Sequence, residues 1–176
     1  QPMKDAEGRM VGVIGVAFEV TDAVRARREI EESEARFRTI FEMADVSIWE
    51  EDFSEVKRYC DRLREIHGDR LRDALEANPG LVAGALRLIR VRDVNPATVR
   101  MFGARTKEEL FTGIASIFLP KTFEIFIDES VALAEGKRVV VAGGPLRTLA
   151  GKQLDVVFSL GIPAEARDYE RALITI

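Results

Sequence analysis

Apolar residues recur along the chain with two different periods. Spacings of three and four run through residues 21–44, 54–67 and 121–134 and predict helices. In 54–67 the apolar face is Val56, Tyr59, Cys60, Leu63 and Ile66. In 121–134 it is Phe123, Phe126, Ile127, Ser130, Val131 and Ala134. Shorter helices are predicted over 69–77, 81–86 and 95–102. Alternation, or a short apolar run, predicts strands at 10–20, 46–51, 88–94, 138–149, 152–162 and 169–176. In the fifth of these Asp155, Val157 and Ser159 alternate with Val156, Phe158 and Leu160, as in a sheet with one covered face.

Punctuating residues set the joints. Glu7-Gly8-Arg9 reads as a turn and Thr21 as a helix N-cap. Asn78-Pro79 breaks a helix, and Asn95-Pro96 opens one that Gly103 stops. Thr106 to Glu109 has capping-box spacing, and Gly136 ends the long helix. Leu149-Ala150-Gly151-Lys152 joins two strands as a hairpin, and Gly143-Gly144-Pro145 suits a bulge or bend. A faint repeat relates residues 16–20 to residues 172–176. On that reading residues 1–20 end with the last strand of an upstream copy, and an exposed strand at 10–20 seeks an edge to pair with, on a neighbouring chain or on this chain's own sheet.

Over residues 21–44, Ala23, Ala26, Ile30, Ser33, Phe37, Ile40 and Ala44 occupy heptad a and d positions, with charged residues between them. Two readings stand: a dimeric coiled coil, or an amphipathic helix lying on its own domain.

The 176 residues suffice for one ordinary domain with attached helices, and a 47% hydrophobic content supplies a core. Charge is nearly balanced, 26 basic against 30 acidic residues, so nucleic acid is not an expected partner and no basic cluster marks a membrane surface. The single cysteine, Cys60, excludes an internal disulfide and suits a reducing, cytoplasmic setting. No apolar run reaches the roughly 20 residues that span a bilayer.

The order of strand, helices, strand, short helices, long helix and three-stranded meander resembles that of PAS sensor domains. So do Ser33-Glu34-Ala35-Arg36-Phe37-Arg38, the run from Asn95 to Leu110, Pro145-Leu146-Arg147-Thr148 followed by Gly151-Lys152, and the junction Glu19-Val20-Thr21-Asp22. Residues 54–87 depart from the resemblance as a helical insertion, and Ala104 stands where many relatives carry an aromatic residue. The resemblance implies an α+β fold: a PAS-like five-stranded antiparallel sheet with helices on one face, over residues 45–176, preceded by a signalling helix at 21–44. It implies sensing or relay in a bacterial signalling protein, foremost a histidine kinase, by binding a small ligand, by homodimerising through helix 21–44, or both. A pure dimerisation module, the sensor part of a diguanylate cyclase, and a hydrolase or transferase on the same scaffold remain alternatives.

Candidate chemistry is sparse, and the fragment is expected to be non-catalytic. The one histidine, His67, reads as a helix-end surface residue. A haem ligand in such domains would lie on helix 121–134, which has none, so haem is disfavoured. Cys60 and His67 are two helical turns apart, about 10.5 Å, too far to share a zinc ion. A covalent flavin is disfavoured because Pro96, not Cys, follows Asn95, and Cys60 reads as a small buried residue. Glu50, Glu51 and Asp52 are expected to be exposed carboxylates at a strand end, without a metal. Trp49, Asn95, Phe102, Phe118, Phe123, Phe126 and Ile127 are the candidates to line a ligand cavity, each with core filling, or for Asn95 helix capping, as the competing role.

Overall fold

The computed structural model describes residues 2–13, 21–162 and 168–176 and falls into two units, residues 1–39 and 40–176. In the first, β1 (Pro2–Lys4) and β2 (Met10–Val13) pair antiparallel. Asp5 Oδ1 accepts the amides of Glu7 and Arg9 at 3.1 and 2.8 Å, and Gly8 takes a φ of 80°, which glycine adopts without a Cβ clash. The strand begun at Met10 therefore finds its edge in residues 2–4. Residues 14–20, with the suggested repeat at 16–20, lie outside the described residues. Helix α1 (Thr21–Met43) follows, laced with i,i+4 pairs such as Arg27 Nε to Glu31 Oε1 at 2.8 Å.

The second unit begins with the last turn of α1, where Phe41 is buried with Lys107 Nζ 5.9 Å from its ring centre. Then come β3 (Ile48–Asp52), α2 (Ser54–His67), α3 (Leu71–Ala77), α4 (Pro79–Leu86), β4 (Arg90–Val94), α5 (Pro96–Phe102), α6 (Lys107–Gly113), α7 (Thr122–Ala134), β5 (Val139–Arg147), β6 (Gln153–Gly161) and β7 (Ala172–Thr175). The five strands form one antiparallel sheet in the order β4-β3-β7-β6-β5, with β3 between the other end of the chain and β4. Val139, Val141 and Val157 are exposed on one face of the β5–β6 ribbon, while Leu146, Phe158 and Leu160 are buried on the other. The helices cover that second face.

Element ends differ from the sequence pattern for local reasons. Before Ile48, the carbonyls of Ala44 and Val46 are taken by the Asn95 side chain, so the ladder starts two residues late. Leu88 and Ile89 donate to Ala85 and Leu86, prolonging the helical turn and delaying β4 to Arg90. Asn78-Pro79 opens α4 as well as ending α3: Asn78 Oδ1 accepts from Gly80 N at 3.0 Å, and Pro79 sits in the first turn, where no amide partner is needed. Tyr169 lies in a 3₁₀ turn, and its carbonyl accepts from Phe53 N, so β7 begins only at Ala172.

Gly143-Gly144 forms no bulge. The β5–β6 register is unbroken from Val139 to Arg147. A Cβ on Gly144 would sit 2.2 Å from Ile125 Cδ1, so the glycine serves the close approach of α7 to the sheet. Helix α7 is also rotated from the expected face. Ser130 and Ala134 of that face are buried as expected, but Thr122, Ile125, Glu129, Ala132 and Leu133 are buried beside them, and Phe123 is 39% exposed. Thr122 sets this rotation by donating to Pro145 O at 2.7 Å while accepting from Leu119 N at 2.9 Å.

Candidate functional site

A cavity of about 720 Å³ lies within the second unit, between the covered face of the sheet and the helices. Its volume falls in the range that holds small molecules. Trp49 and Glu51 of β3, Val91 of β4, Leu146 of β5, Phe158 of β6 and Ile174 of β7 supply the sheet side. Phe118, Thr122, Phe123, Phe126 and Glu129 at and on α7, with Ala83, Leu86 and Arg87 at the end of α4, supply the helical side. Phe118 and Phe126 meet edge to face at 5.5 Å.

Of the seven residues expected at a cavity, Trp49, Phe118, Phe123 and Phe126 line it; Asn95, Phe102 and Ile127 do not. Phe102 is fully buried behind Trp49, its ring edge-on at 5.6 Å. Ile127 packs against the separate cluster built on α2, α3 and α4, because the rotation of α7 turns it aside. Asn95 is consumed by structure. Its Oδ1 accepts from Thr98 N and from Ile48 N, each at 3.0 Å, and its Nδ2 donates to Val46 O at 2.8 Å. It is a helix cap that also fastens the entry of β3.

That fastening continues to the cavity. Trp49 Nε1 donates to Ser47 Oγ at 3.0 Å, and Ser47 Oγ lies 2.9 Å from Thr98 Oγ1, which donates to Asn95 Oδ1 at 2.8 Å. Asn95 Nδ2 lies 3.4 Å from Ala44 O, just past the end of α1. A chain of side-chain hydrogen bonds thus joins a wall of the cavity to residues 44–46.

Two carboxyl groups on the lining were not expected. Glu51 is 8% exposed and Glu129 5%. Burial, and then the neighbouring charge of Glu129, pushes the Glu51 carboxyl up to about 8. Burial, and then the charge of Asp128, pushes Glu129 up to about 8 as well. Both acids are therefore largely protonated at neutral pH. The expected exposure of Glu50, Glu51 and Asp52 is corrected for all three: strand alternation that buries Trp49 buries Glu51 too, while Glu50 and Asp52 are half-buried and paired with Arg171 and Arg92. The signal was in the pattern, Trp-x-Glu on β3 and Thr122, Ile125, Glu129, Leu133 at helical spacing on α7. Against it stands the rarity of fully buried glutamate in proteins.

Cys60 is buried on α2, and burial pushes its thiol up to about 11, so it carries little thiolate. Neither Cys60 nor His67 lines the cavity. Among the described residues no group of three or more His, Cys, Asp or Glu side chains is placed to share a metal ion, and no helix is long and apolar enough to cross a membrane.

Residues 69–135, from the turn before α3 to the end of α7, match the family described as PAS domain. No curated protein matches the chain. Solved structures similar to it include a domain of the sensory box sensor histidine kinase/response regulator from Geobacter sulfurreducens, 17% identical over 83% of this chain and 94% of that one, with a TM-score of 0.49. Another is the PAS domain of an HTR-like protein from Haloarcula marismortui, 15% identical over 86% of this chain and 95% of that one, with a TM-score of 0.46. The family match covers α3 to α7, and around it the chain has a PAS-like fold, a five-stranded antiparallel sheet under helices in the element order that the sequence suggested.

Proposed function

We propose that this chain is a PAS domain and a non-catalytic sensory module of a cytoplasmic signal-transduction protein, with a histidine kinase as the foremost parent and a diguanylate cyclase as the alternative. The observation that carries the sensory reading is the cavity of about 720 Å³, lined by aromatic rings and by two buried carboxyl groups. A small molecule held there contacts Trp49, and Trp49 is hydrogen-bonded through Ser47, Thr98 and Asn95 to residues 44–46. Occupancy that favours one arrangement of this network shifts the population of states at the end of α1 by the difference in affinity between them. Homodimerisation through residues 21–44 is the complementary part of the proposal, supported by the heptad spacing of Ala23, Ala26, Ile30, Ser33, Phe37 and Ile40.

Native mass spectrometry of the purified chain tests both parts. A retained small molecule, lost when Ala83→Trp fills the cavity, supports ligand sensing. A dimer that Ile30→Asp dissociates supports the helix. A chain that is empty, gains no small molecule from a metabolite extract, and stays dimeric would leave the pure dimerisation module as the better reading.

A further inference from the structure

Two carboxyl groups in a cavity walled mainly by hydrocarbon call for an explanation. Glu51 and Glu129 come from different elements, β3 and α7, and both line the same cavity. Each is more than nine-tenths buried and shows no hydrogen bond or ion pair to another described residue, yet neither is a sealed, unpaired group as Ser54 Oγ is, because their carboxyl oxygens open onto the cavity. Polar atoms that face an otherwise mainly apolar cavity and have no protein partner are free to bond a molecule that enters it. Arg87 is the one basic residue on the lining, and it is exposed. Asp128, next to Glu129, is already bound to Arg72 at 2.7 Å.

We propose that the cavity takes an apolar molecule bearing a protonated amine, its ammonium group paired with Glu51 and Glu129 and its body against Trp49, Phe118 and Phe126. The proposal rests on the reading of this cavity as a ligand site and names the ligand's chemical class. An ammonium group offers three donors and a charge, which suits two carboxylates. Aromatic faces nearby add cation–π attraction. A carboxylate ligand meets two acids and no buried cation. A neutral alcohol satisfies at most part of the pair. Because both acids are held mainly neutral in the empty cavity, the arriving cation makes one of them release its proton to the buffer.

The test is calorimetry on the full chain at pH 7 with three probes of matched body: 2-phenylethylamine, 2-phenylethanol and 3-phenylpropanoate. The amine is expected to bind at least about tenfold more tightly than the alcohol, with 3-phenylpropanoate weakest. In two buffers of different ionisation enthalpy, amine binding is expected to release about one proton and alcohol binding none. Glu51→Gln and Glu129→Gln are expected to lower amine binding to the alcohol's level and leave the alcohol unchanged. If either variant fails to fold, proton release in the unaltered chain still decides the matter. Alcohol binding as tight as the amine's, without proton release, overturns the amine while leaving the cavity a ligand site. No binding by any probe, with unshifted resonances of the lining residues, overturns both.

Discussion

The indole of Trp49 donates to Ser47 Oγ at 3.0 Å while its ring forms a wall of the cavity and stands edge-on to Phe102. The two ends of this bond are not equivalent. Ser47 also meets Thr98 Oγ1 at 2.9 Å, so it keeps a partner if the indole is lost. The Trp49 N–H has no other. Ser47→Ala therefore leaves a buried donor unpaired and is expected to destabilise by about 1–3 kcal/mol. Trp49→Phe removes that donor together with part of the ring and leaves a gap at the cavity wall. Urea denaturation of the two variants, with the Ser47→Ala, Trp49→Phe double, measures the bond: the double is expected to lose less than the sum of the singles.

Asn95 uses oxygen and nitrogen for opposite tasks, so its two nearest substitutes fail differently. Asn95→Ala loses the cap of α5 and the tie to β3 together, an expected loss of about 3 kcal/mol. Asn95→Asp keeps the acceptor for Thr98 and Ile48 but turns the donor to Val46 O into a buried charge facing a carbonyl. Protonated, the introduced acid can donate to Val46 O as the amide does; ionised, it meets that carbonyl as a charge. Its variant should therefore be more stable when the acid is protonated, losing stability as pH rises. Denaturation of Asn95→Asp and of the unaltered chain at pH 4 and pH 7 checks this; an unchanged difference between the two chains would mean that the Val46 bond is not made.

Gly144 and Ile125 bring α7 against β5. Gly144→Ala places a methyl 2.2 Å from Ile125 Cδ1, too close without movement of a buried side chain. A loss of about 1–3 kcal/mol is expected. Ile125→Val removes that methyl and alone costs about 1 kcal/mol. The double variant should recover part of the Gly144→Ala loss, visible as non-additivity in thermal or urea melts. Strict additivity would show that the helix rides on other contacts.

Much of the architecture was legible because its signals are local. Gly103 and Gly136 both adopt left-handed φ, at 69° and 77°, where they stop helices. Gly151 at 87° turns the β5–β6 hairpin. Thr106 accepts from Glu109 N at 3.2 Å as its spacing implied, although Glu109 turns its carboxylate to the amide of Arg105 and leaves the box one-sided. What depended on distant partners was less legible. The rotation of α7 is set by Pro145, 23 residues away, and this moves Ile127 out of the site and Glu129 in. Asn95 was readable as a cap because that bond is three residues long; its bond to Ile48 spans 47. The partner of Met10 to Val13 is a strand of three residues, too short to carry a pattern.

Stability should fall as pH rises because of Glu51 and Glu129. In the unfolded chain both titrate near 4.5; in the fold both lie near 8. Between those values the folded chain holds protons that the unfolded chain has lost, so raising the pH favours unfolding. Their contribution is complete below about pH 4.5, declines through the window and levels off above about 8. Each group sets a slope of up to about 1.4 kcal/mol per pH unit. Glutamine has the shape of the protonated acid and does not titrate. The Glu51→Gln, Glu129→Gln double variant is therefore expected to show a much flatter profile in urea denaturation between pH 5 and pH 8, and to exceed the unaltered chain in stability at pH 8. Parallel profiles would mean that the two carboxyls are hydrated and ionised in the fold, and the cavity would then be wetter at that end than its aromatic lining implies.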